Sequence, residues 1–328
     1  MDTGTHFVIG ISLAGLAHID PVVSQEPLLA QVILLGTVIG SQAPDFDGIT
    51  RMLGGTANYI KNHRGITHSL PAFFVWPTLI SFFLLIFYPT IPFSHLWLWI
   101  FISVFLHVFL DLFNPYGTQA LRPFSQKWIA LNTINIFDPF IFVSHIVGIL
   151  IWSFEWLDPK ILFSLLYLLT IIYLVWRLCF HHNLISTLRQ DYKVTGKITI
   201  LPTIQWTTWN VIEENDETYR IGVIRNDQLE WIDEKKKFKD HQSIIMAKQD
   251  KKIEVFLSLT DYAYPMWKKT SFGYEVRFID LRYRFKNHYP FIGIVLLNEE
   301  MQIIDSYIGW VYNQEHLTKK IHSLLNQS

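Results

Sequence analysis

Long apolar runs alternate with short polar connections over the first 180 residues, and four of these runs come close to the length of a membrane-crossing helix. A helix needs about 20 apolar residues to cross a hydrocarbon layer roughly 30 Å thick. The runs cover residues 70–88, 95–113, 139–157 and 161–180. The pattern therefore predicts a polytopic helical membrane region with about four long spans.

Two shorter apolar runs, residues 7–17 and 28–39, precede the four long ones and are rich in glycine and alanine. They are shorter than a full span, and small side chains let helix backbones approach each other closely. We expect the two runs to form a short N-terminal helical hairpin. No Lys or Arg precedes the first run, so it does not have the charged start of a secretory signal.

The pattern changes near residue 190, where charged residues begin to mix with short, partly alternating apolar segments. Such alternation is typical of half-buried strands, and it predicts an antiparallel sheet or a small barrel. The fold class is therefore an all-α polytopic membrane domain, residues 1–185, followed by a small β-rich soluble domain of unknown role, residues 190–328. The predicted strands cover residues 197–204, 219–225, 253–259, 274–285, 291–297 and 303–312, before a helix at 315–325.

Charge restricts the partners that the chain is expected to have. The formal net charge is −1, and the sequence has no basic cluster interleaved with aromatic residues, so we expect no nucleic-acid partner. The bilayer is the expected partner of the apolar half. Cys179 is the only cysteine and stands in an apolar run, which argues against an intrachain disulfide and against a cysteine nucleophile.

Basic residues also predict the orientation. Alternating spans place residues 44–69, residues 114–138 and the C-terminal domain on one side, and the first two segments carry Arg51, Lys61, Arg64, Arg122 and Lys127. On the other side, the connections contain only Lys160. By the positive-inside rule this distribution predicts a multi-pass protein of the bacterial inner membrane, with the first side in the cytoplasm.

Ionisable residues inside or beside membrane helices are costly, and they are hypotheses for functional sites by default. His107 and Asp111 are four residues apart in the second long run, so they share one helical face near the end of that helix. The alternating topology brings the other candidates to the same membrane side. The seven predicted metal ligands are His6, Asp45, Asp47, His63, His68, His107 and Asp111.

Seven nitrogen and oxygen ligands exceed the four of one tetrahedral zinc ion, so we expect two or three zinc ions, with Mn or Fe as the alternatives. Cations held in this way lower the pKa of a water molecule toward about 7. Asp45 or Asp47 would bridge the ions or act as general base, and Arg64 would supply a fixed donor. Because the site lies at the end of membrane helices, an amphiphilic phosphoester is the expected substrate.

These motifs resemble those of a known group of proteins. Gly4-Thr5-His6, Pro44-Asp45-Phe46-Asp47, the block from His63 to Ser69, and His107-x3-Asp111 with Asn114-Pro115-x-Gly117 look like the YdjM-type membrane-bound metal-dependent hydrolases of bacteria. The resemblance covers roughly residues 1–150 and implies that the same seven residues bind metal. It also implies a distant similarity to the zinc-dependent phospholipase C and P1 nuclease superfamily. This sequence departs from that superfamily in having no N-terminal Trp and only one evident His-x3-Asp pair.

Two alternatives remain open at this stage. The protein could be a non-enzymatic scaffold or carrier, with a structural metal site that holds its helices together; solvent-open coordination would distinguish a catalytic site from a structural one. His145, within the third long run, could be an eighth ligand or a supporting residue.

Overall fold

A computed structural model of the chain describes residues 1–48, 64–237, 241–284 and 288–325, with residues 47 and 48 described by their backbone alone. The described part of the first half is helical, and the second half contains two antiparallel sheets. The helices of the first half are α1 (Thr3–Leu16), α2 (Pro21–Gln25), α3 (Pro27–Gln42), α4 (Ala72–Phe87), α5 (Phe93–Asp111), α6 (Pro139–Ser153) and α7 (Pro159–Gln190).

Several helices begin at an aspartate followed by a proline. The Asp138 side chain accepts hydrogen bonds from the backbone N–H groups of Phe140 and Ile141 at the start of α6. Asp158 caps α7 in the same way, and Asp20 caps α2. An aspartate oxygen satisfies N–H groups that have no partner within the helix, and the fixed φ of proline suits the first helical position. The Asp-Pro dipeptides thus set where these helices start.

Three described helical segments are long and apolar enough to cross a membrane: Pro27–Phe46, Phe93–Asp111 and Pro159–Gln190. The expected four long spans are therefore not reproduced. Helices α4 and α6 have 16 and 15 residues, which at about 1.5 Å per residue are short for a roughly 30 Å layer. The α4 helix ends at Phe87. The next residue, Tyr88, precedes Pro89, and a following proline disfavours the helical backbone conformation.

The N-terminal hairpin is present, but its second helix is longer than predicted. The side chain of Gln42 donates to the Thr3 carbonyl at 3.4 Å, so the end of α3 lies beside the start of α1 and the two helices are antiparallel. A short 3-10 segment, Ala43–Gly48, continues α3 and makes this segment long enough to span. Gly36 and Gly40 face Ile100 of α5, where a Cβ at Gly36 would lie 2.8 Å from that side chain. These glycines allow the close α3–α5 packing that positions the site.

The second half of the chain forms two four-stranded antiparallel meanders, each with its strands in sequence order. Asn226 and Asp227, both with positive φ, form the two-residue turn between the third and fourth strands, as the type I′ hairpin requires. The first sheet contains β1 (Lys197–Pro202), β2 (Thr208–Glu214), β3 (Thr218–Arg225) and β4 (Gln228–Lys236), and the second contains β5 (Ala263–Thr270), β6 (Gly273–Asp280), β7 (Phe291–Leu297) and β8 (Ile303–Trp310).

Helices α8 (Gln242–Ala247), α9 (Lys251–Ser258) and α10 (Gln314–Leu325) accompany the second sheet. The strand predicted over residues 253–259 was wrong, because this segment is α9. The Asp250 side chain caps α9 by accepting from the backbone N–H groups of Lys252 and Ile253, and Ile253 and Phe256 bury one helical face. Strands β2, β4 and β5 were not predicted. The predicted final helix corresponds to α10.

Candidate metal centre

Four side chains from three segments converge where α3 and α5 end. His107 and Asp111 come from the last turns of α5, Asp45 from the 3-10 segment after α3, and His68 from a 3-10 turn, Ile66–His68. One ligand atom from each residue lies within 4.8 Å of the others. The described part of the chain therefore contains a His/Asp cluster that could hold a metal ion.

The distances within the cluster are those of groups that share one small volume. The Nε2 atom of His68 lies 3.5 Å from Oδ1 of Asp45 and 3.4 Å from Oδ2 of Asp111. The Nε2 atom of His107 lies 3.6 Å and 3.7 Å from the same two oxygens. The two Nε2 atoms are 3.3 Å apart. Both imidazoles therefore present the same ring nitrogen to the same pair of carboxylates.

Hydrogen bonds on the far side of each ring orient these nitrogens. The Nδ1 atom of His107 lies 2.6 Å from the carbonyl oxygen of Ser41, and this carbonyl can only accept, so Nδ1 carries the proton and Nε2 keeps its lone pair. The hydroxyl of Thr67 contacts Nδ1 of His68 at 3.1 Å. Burial lowers the pKa of His68 to about 3, which makes this imidazole neutral near pH 7. Neutral imidazole is the form that binds metal ions.

The carboxylates also fit a cation. Oδ1 of Asp45 and Oδ2 of Asp111 are buried and make no hydrogen bond to any residue that the structure describes. Burying such acceptors without hydrogen bonds is costly. Both oxygens face the Nε2 atoms of His68 and His107, and Oδ2 of Asp111 also lies 3.4 Å from Nη2 of Arg64. A divalent cation would compensate this concentration of electron-rich atoms, and oxygen and imidazole donors suit Zn, Mn and Fe.

His6 lies against the cluster rather than inside it. Its ring stacks on that of His107, with centroids 3.7 Å apart and an interplanar angle of 18°. Its Nε2 atom is 3.3 Å from Oδ1 of Asp111, the oxygen that the amino group of Met1 also contacts. The two oxygens of Asp111 therefore face different groups: Oδ1 faces His6, and Oδ2 faces His68 and His107.

Arg64 is buried and reaches the same carboxylate. Its Nη2 atom is 3.4 Å from Oδ2 of Asp111, and Nη1 donates to Oδ1 of Asn114 at 3.1 Å. Its backbone has φ 60°, a region that non-glycine residues adopt only rarely. The guanidinium is thus held beside the cluster as a positive charge that cannot be lost near pH 7.

Asn114 supports the site in a way that the sequence reasoning missed. Its Nδ2 donates to Oδ1 of Asp111 at 3.1 Å, while its Oδ1 accepts from Arg64 and from the backbone N–H groups of Tyr116 and Gly117. Gly117 has φ +63°, and a Cβ there would lie 2.2 Å from the Ile129 carbonyl oxygen. The sequence feature that could have predicted this role is the Asn-Pro-x-Gly motif. A turn of this kind, directly after a helix that carries a metal ligand, can place the asparagine amide against that ligand.

The remaining predicted ligands are His63 and Asp47. His63 lies outside the described residues, as does the side chain of Asp47, so their proposed ligand roles stay predictions. Among the four clustered side chains, Asp45 is 20% exposed, whereas the other three are fully buried. The cluster is therefore closest to solvent at Asp45.

Histidines elsewhere in the described helices have other contacts. His145 of α6 lies 3.2 Å from the Thr170 hydroxyl and does not belong to the four-residue cluster. His95, at the opposite end of α5, has its Nδ1 atom 2.5 Å from Oδ2 of Asp20. These contacts connect helices or loops and bring no further carboxylate to the cluster.

Comparison with known proteins gives the context of this site. Residues 1–184 match the family model described as YdjM inner membrane protein, and residues 242–321 match that of the YfhP C-terminal alpha/beta plait domain. The chain is 43% identical over 326 residues to the uncharacterized protein YfhP of Bacillus subtilis (strain 168), and the alignment covers 98% of each chain. No solved structure matches the chain.

Proposed function

Because the chain belongs to the YdjM inner membrane protein family, we propose that its His/Asp cluster is the catalytic centre of a membrane-embedded, metal-dependent hydrolase. The observation that carries the proposal is the convergence of Asp45, His68, His107 and Asp111 at the end of two apolar helices. Two carboxylate oxygens that make no hydrogen bond among the described residues and two imidazole nitrogens face one volume there. A group of this kind can hold a cation and leave one side open to substrate.

The residues that would hold the cations lie on both sides of Asp111, since Oδ1 faces His6 and Oδ2 faces His68 and His107. Such a ligand set is consistent with more than one cation. We propose two or three zinc ions, with Mn or Fe as alternatives, and we retain His6, Asp47 and His63 as additional ligands. When bound, such cations lower the pKa of water and polarise the ester that is to be cleaved.

The chain's own residues have separate roles in this proposal. Asp45, the most exposed member of the cluster, accepts a proton from the attacking water, with Asp47 as the alternative base. Arg64 stabilises charge that develops on a phosphoryl or acyl oxygen, since its guanidinium already lies 3.4 Å from Asp111. The imidazoles of His68 and His107 hold the cation and exchange no proton with the substrate.

The substrate class follows from the position of the centre. The cluster is built at the ends of apolar helices, so a substrate with acyl chains can reach it from the bilayer while its polar group contacts the cluster. An amphiphilic phosphoester fits this position. In the same proposal, residues 1–185 form the multi-pass membrane domain, and the centre and the domain of residues 190–328 face the cytoplasm.

The proposal is tested by measuring metal content. The full chain, purified in mild detergent without a histidine tag, is analysed by elemental mass spectrometry together with His68→Ala and Asp111→Ala. We expect two or three zinc or manganese ions per wild-type chain and a loss of more than about tenfold in both variants, with the elution profile unchanged. Metal-containing protein is then screened for hydrolysis of phospholipids. Full metal retention in both variants would contradict the proposed centre.

The competing function is a non-enzymatic scaffold or carrier with a structural metal site, and the burial of three of the four clustered side chains favours it. Solvent access distinguishes the two functions, because a catalytic ion keeps a position for water whereas a structural ion is enclosed by protein ligands. Relaxation of water protons by bound Mn²⁺ measures this access. Strong relaxation supports hydrolysis, and weak relaxation supports the scaffold.

A further inference from the structure

A pair of stacked tyrosines connects the C-terminal domain to the turn beside the candidate metal centre. Tyr116 lies in the turn after α5, and Tyr283 lies just after β6. Their ring centroids are 5.0 Å apart, with an interplanar angle of 25°. The backbone N–H of Tyr116 donates to Oδ1 of Asn114, whose Nδ2 in turn donates to Asp111. The residue that contacts the C-terminal domain is therefore hydrogen-bonded to the same asparagine that supports Asp111.

Tyr116 also contacts Arg64. The Cζ atom of Arg64 lies 5.4 Å from the centroid of the Tyr116 ring, within the range of a cation–π interaction. Arg64 in turn reaches Asp111. A continuous series of contacts thus runs from the cluster carboxylate through Arg64 and Tyr116 to Tyr283.

Tyr283 is held firmly on the side of the β domain. The adjacent Arg282 makes a two-pronged pair with Asp280, whose shortest distance is 2.8 Å, and donates to the Leu259 carbonyl at 2.9 Å. The guanidinium of Arg282 lies 5.2 Å from the Tyr283 ring centroid. Trp310 also packs against this ring, with centroids 5.3 Å apart. A planar arginine fixed in this way restricts the ring that Tyr116 stacks on.

The contact depends on the ring of Tyr283 rather than on its hydroxyl. The hydroxyl oxygen is buried and makes no hydrogen bond within the described residues. Phenylalanine would preserve the stacking face, whereas leucine would keep much of the apolar volume and lose the stacking.

We propose that the C-terminal domain is a component of the metal centre, with Tyr283 as a positioning residue that holds Tyr116, and through it Arg64, against Asp111. The strained backbone of Arg64 supports this role, because a non-glycine residue stays at positive φ only where its surroundings hold it. The inference rests on the proposed function in one respect: the cluster has to bind a metal ion.

The first test measures Co²⁺ affinity and the visible Co²⁺ spectrum of the full chain in detergent. Tyr283→Leu is expected to weaken Co²⁺ binding about tenfold and to alter the spectrum, as loss of support around a metal ligand does. Tyr283→Phe is expected to restore both. The matched control is Trp267→Leu, since Trp267 is an aromatic residue of the same domain that stacks on His241, with centroids 3.8 Å apart. Equal effects of Tyr283→Leu and Trp267→Leu would overturn the proposal.

A double variant tests the order of the contacts. If Tyr116 and Tyr283 both act through Arg64, Tyr116→Leu combined with Tyr283→Leu should bind Co²⁺ no more than about twofold more weakly than Tyr116→Leu alone. If the losses of Co²⁺ affinity caused by the two substitutions multiplied in the double variant, the proposed series of contacts would be overturned.

The reciprocal measurement requires no variant and so does not depend on variant folding. Coupling between two sites is mutual, so adding Zn²⁺ to the wild-type chain should slow amide hydrogen exchange around Tyr283 as well as around Tyr116, and leave β5 unchanged. Unchanged exchange at Tyr283 would overturn the inference alone. A wild-type chain that binds neither Co²⁺ nor Zn²⁺ would overturn both this inference and the proposed function.

Discussion

The carboxylates of the His/Asp cluster differ from the buried carboxylates of the β domain. In the β domain, each of three buried carboxylates has a cationic partner on the same or an adjacent strand or turn. These pairs are Glu213 with Arg220, Glu275 with Arg277, and Asp280 with Arg282. In the helical half, Asp45 and Asp111 face imidazoles, and each has an oxygen without a hydrogen bond among the described residues.

This difference separates structural charges from charges available to a ligand. A buried carboxylate paired with arginine already has its compensating charge, and removing one partner destabilises the fold. In the helical half, Asp111 contacts Arg64 and the amino group of Met1, whereas the described contacts of Asp45 are with the two imidazoles of the cluster. In the proposed function, a metal ion would supply the further positive charge that these two carboxylates and two imidazoles accommodate.

The largest expected effect comes from neutralising a cluster carboxylate. Asp111→Asn keeps the shape of the side chain and removes the charge that would bind a cation. We expect Zn²⁺ affinity to fall more than about 100-fold, since losing a ligand exceeds the 10–100-fold cost of losing a supporting hydrogen bond. Isothermal titration in detergent measures it.

The matched control neutralises a paired carboxylate. Glu275→Gln leaves Arg277 without its charged partner, so the β domain should lose about 2 kcal/mol of unfolding free energy. Zn²⁺ affinity should stay within twofold of the wild type. If Asp111→Asn bound zinc as tightly as Glu275→Gln, the comparison between the two halves would fail.

Metal removal should destabilise the helical half. A ligand present at 100 times its Kd stabilises the folded state by about 2.7 kcal/mol, so chelation with EDTA should lower the Tm of the wild type by several degrees. Asp111→Asn should show no such shift. Differential scanning calorimetry in detergent measures the Tm of both proteins with and without EDTA. If EDTA lowered the Tm of Asp111→Asn as much as that of the wild type, the stabilising metal would be bound at another site.

A smaller effect is expected from the hydroxyl that orients His68. Thr67→Val preserves the shape of the side chain and removes the contact with Nδ1, so Zn²⁺ affinity should fall about tenfold. Thr67→Ser retains a hydroxyl and should recover most of the affinity. Equal affinities of the Val and Ser variants would show that the hydroxyl does not orient the ring.

The smallest effect is expected at the opposite end of α5. His95→Ala removes the contact with Asp20, and both side chains are partly exposed, so the expected loss of stability is about 1 kcal/mol or less. Metal content should not change. A loss of bound metal in His95→Ala, measured by elemental mass spectrometry, would mean that the cluster depends on helix packing far from its ligands.

Local patterns were sufficient to predict much of the fold. The apolar runs predicted helices, and the change near residue 190 predicted the β-rich half. The prediction was wrong where a single residue decides the conformation of a segment. Asp250 caps a helix that covers most of residues 253–259, which the alternating pattern had assigned to a strand. Helix ends also shifted, since the turn before Ala72 and the proline after Tyr88 shorten α4.

The sequence by itself determined the residue types of the centre and the placement of His107 and Asp111 on one helical face, because the helical period is a local property. It also determined that imidazoles and carboxylates near apolar helices require compensation. Only the tertiary structure decided that Ser41 orients His107, that Asn114 supports Asp111, and that Tyr283 of the β domain stacks on Tyr116. These contacts join segments far apart in the chain, and their geometry depends on how helices and sheets pack rather than on any local period.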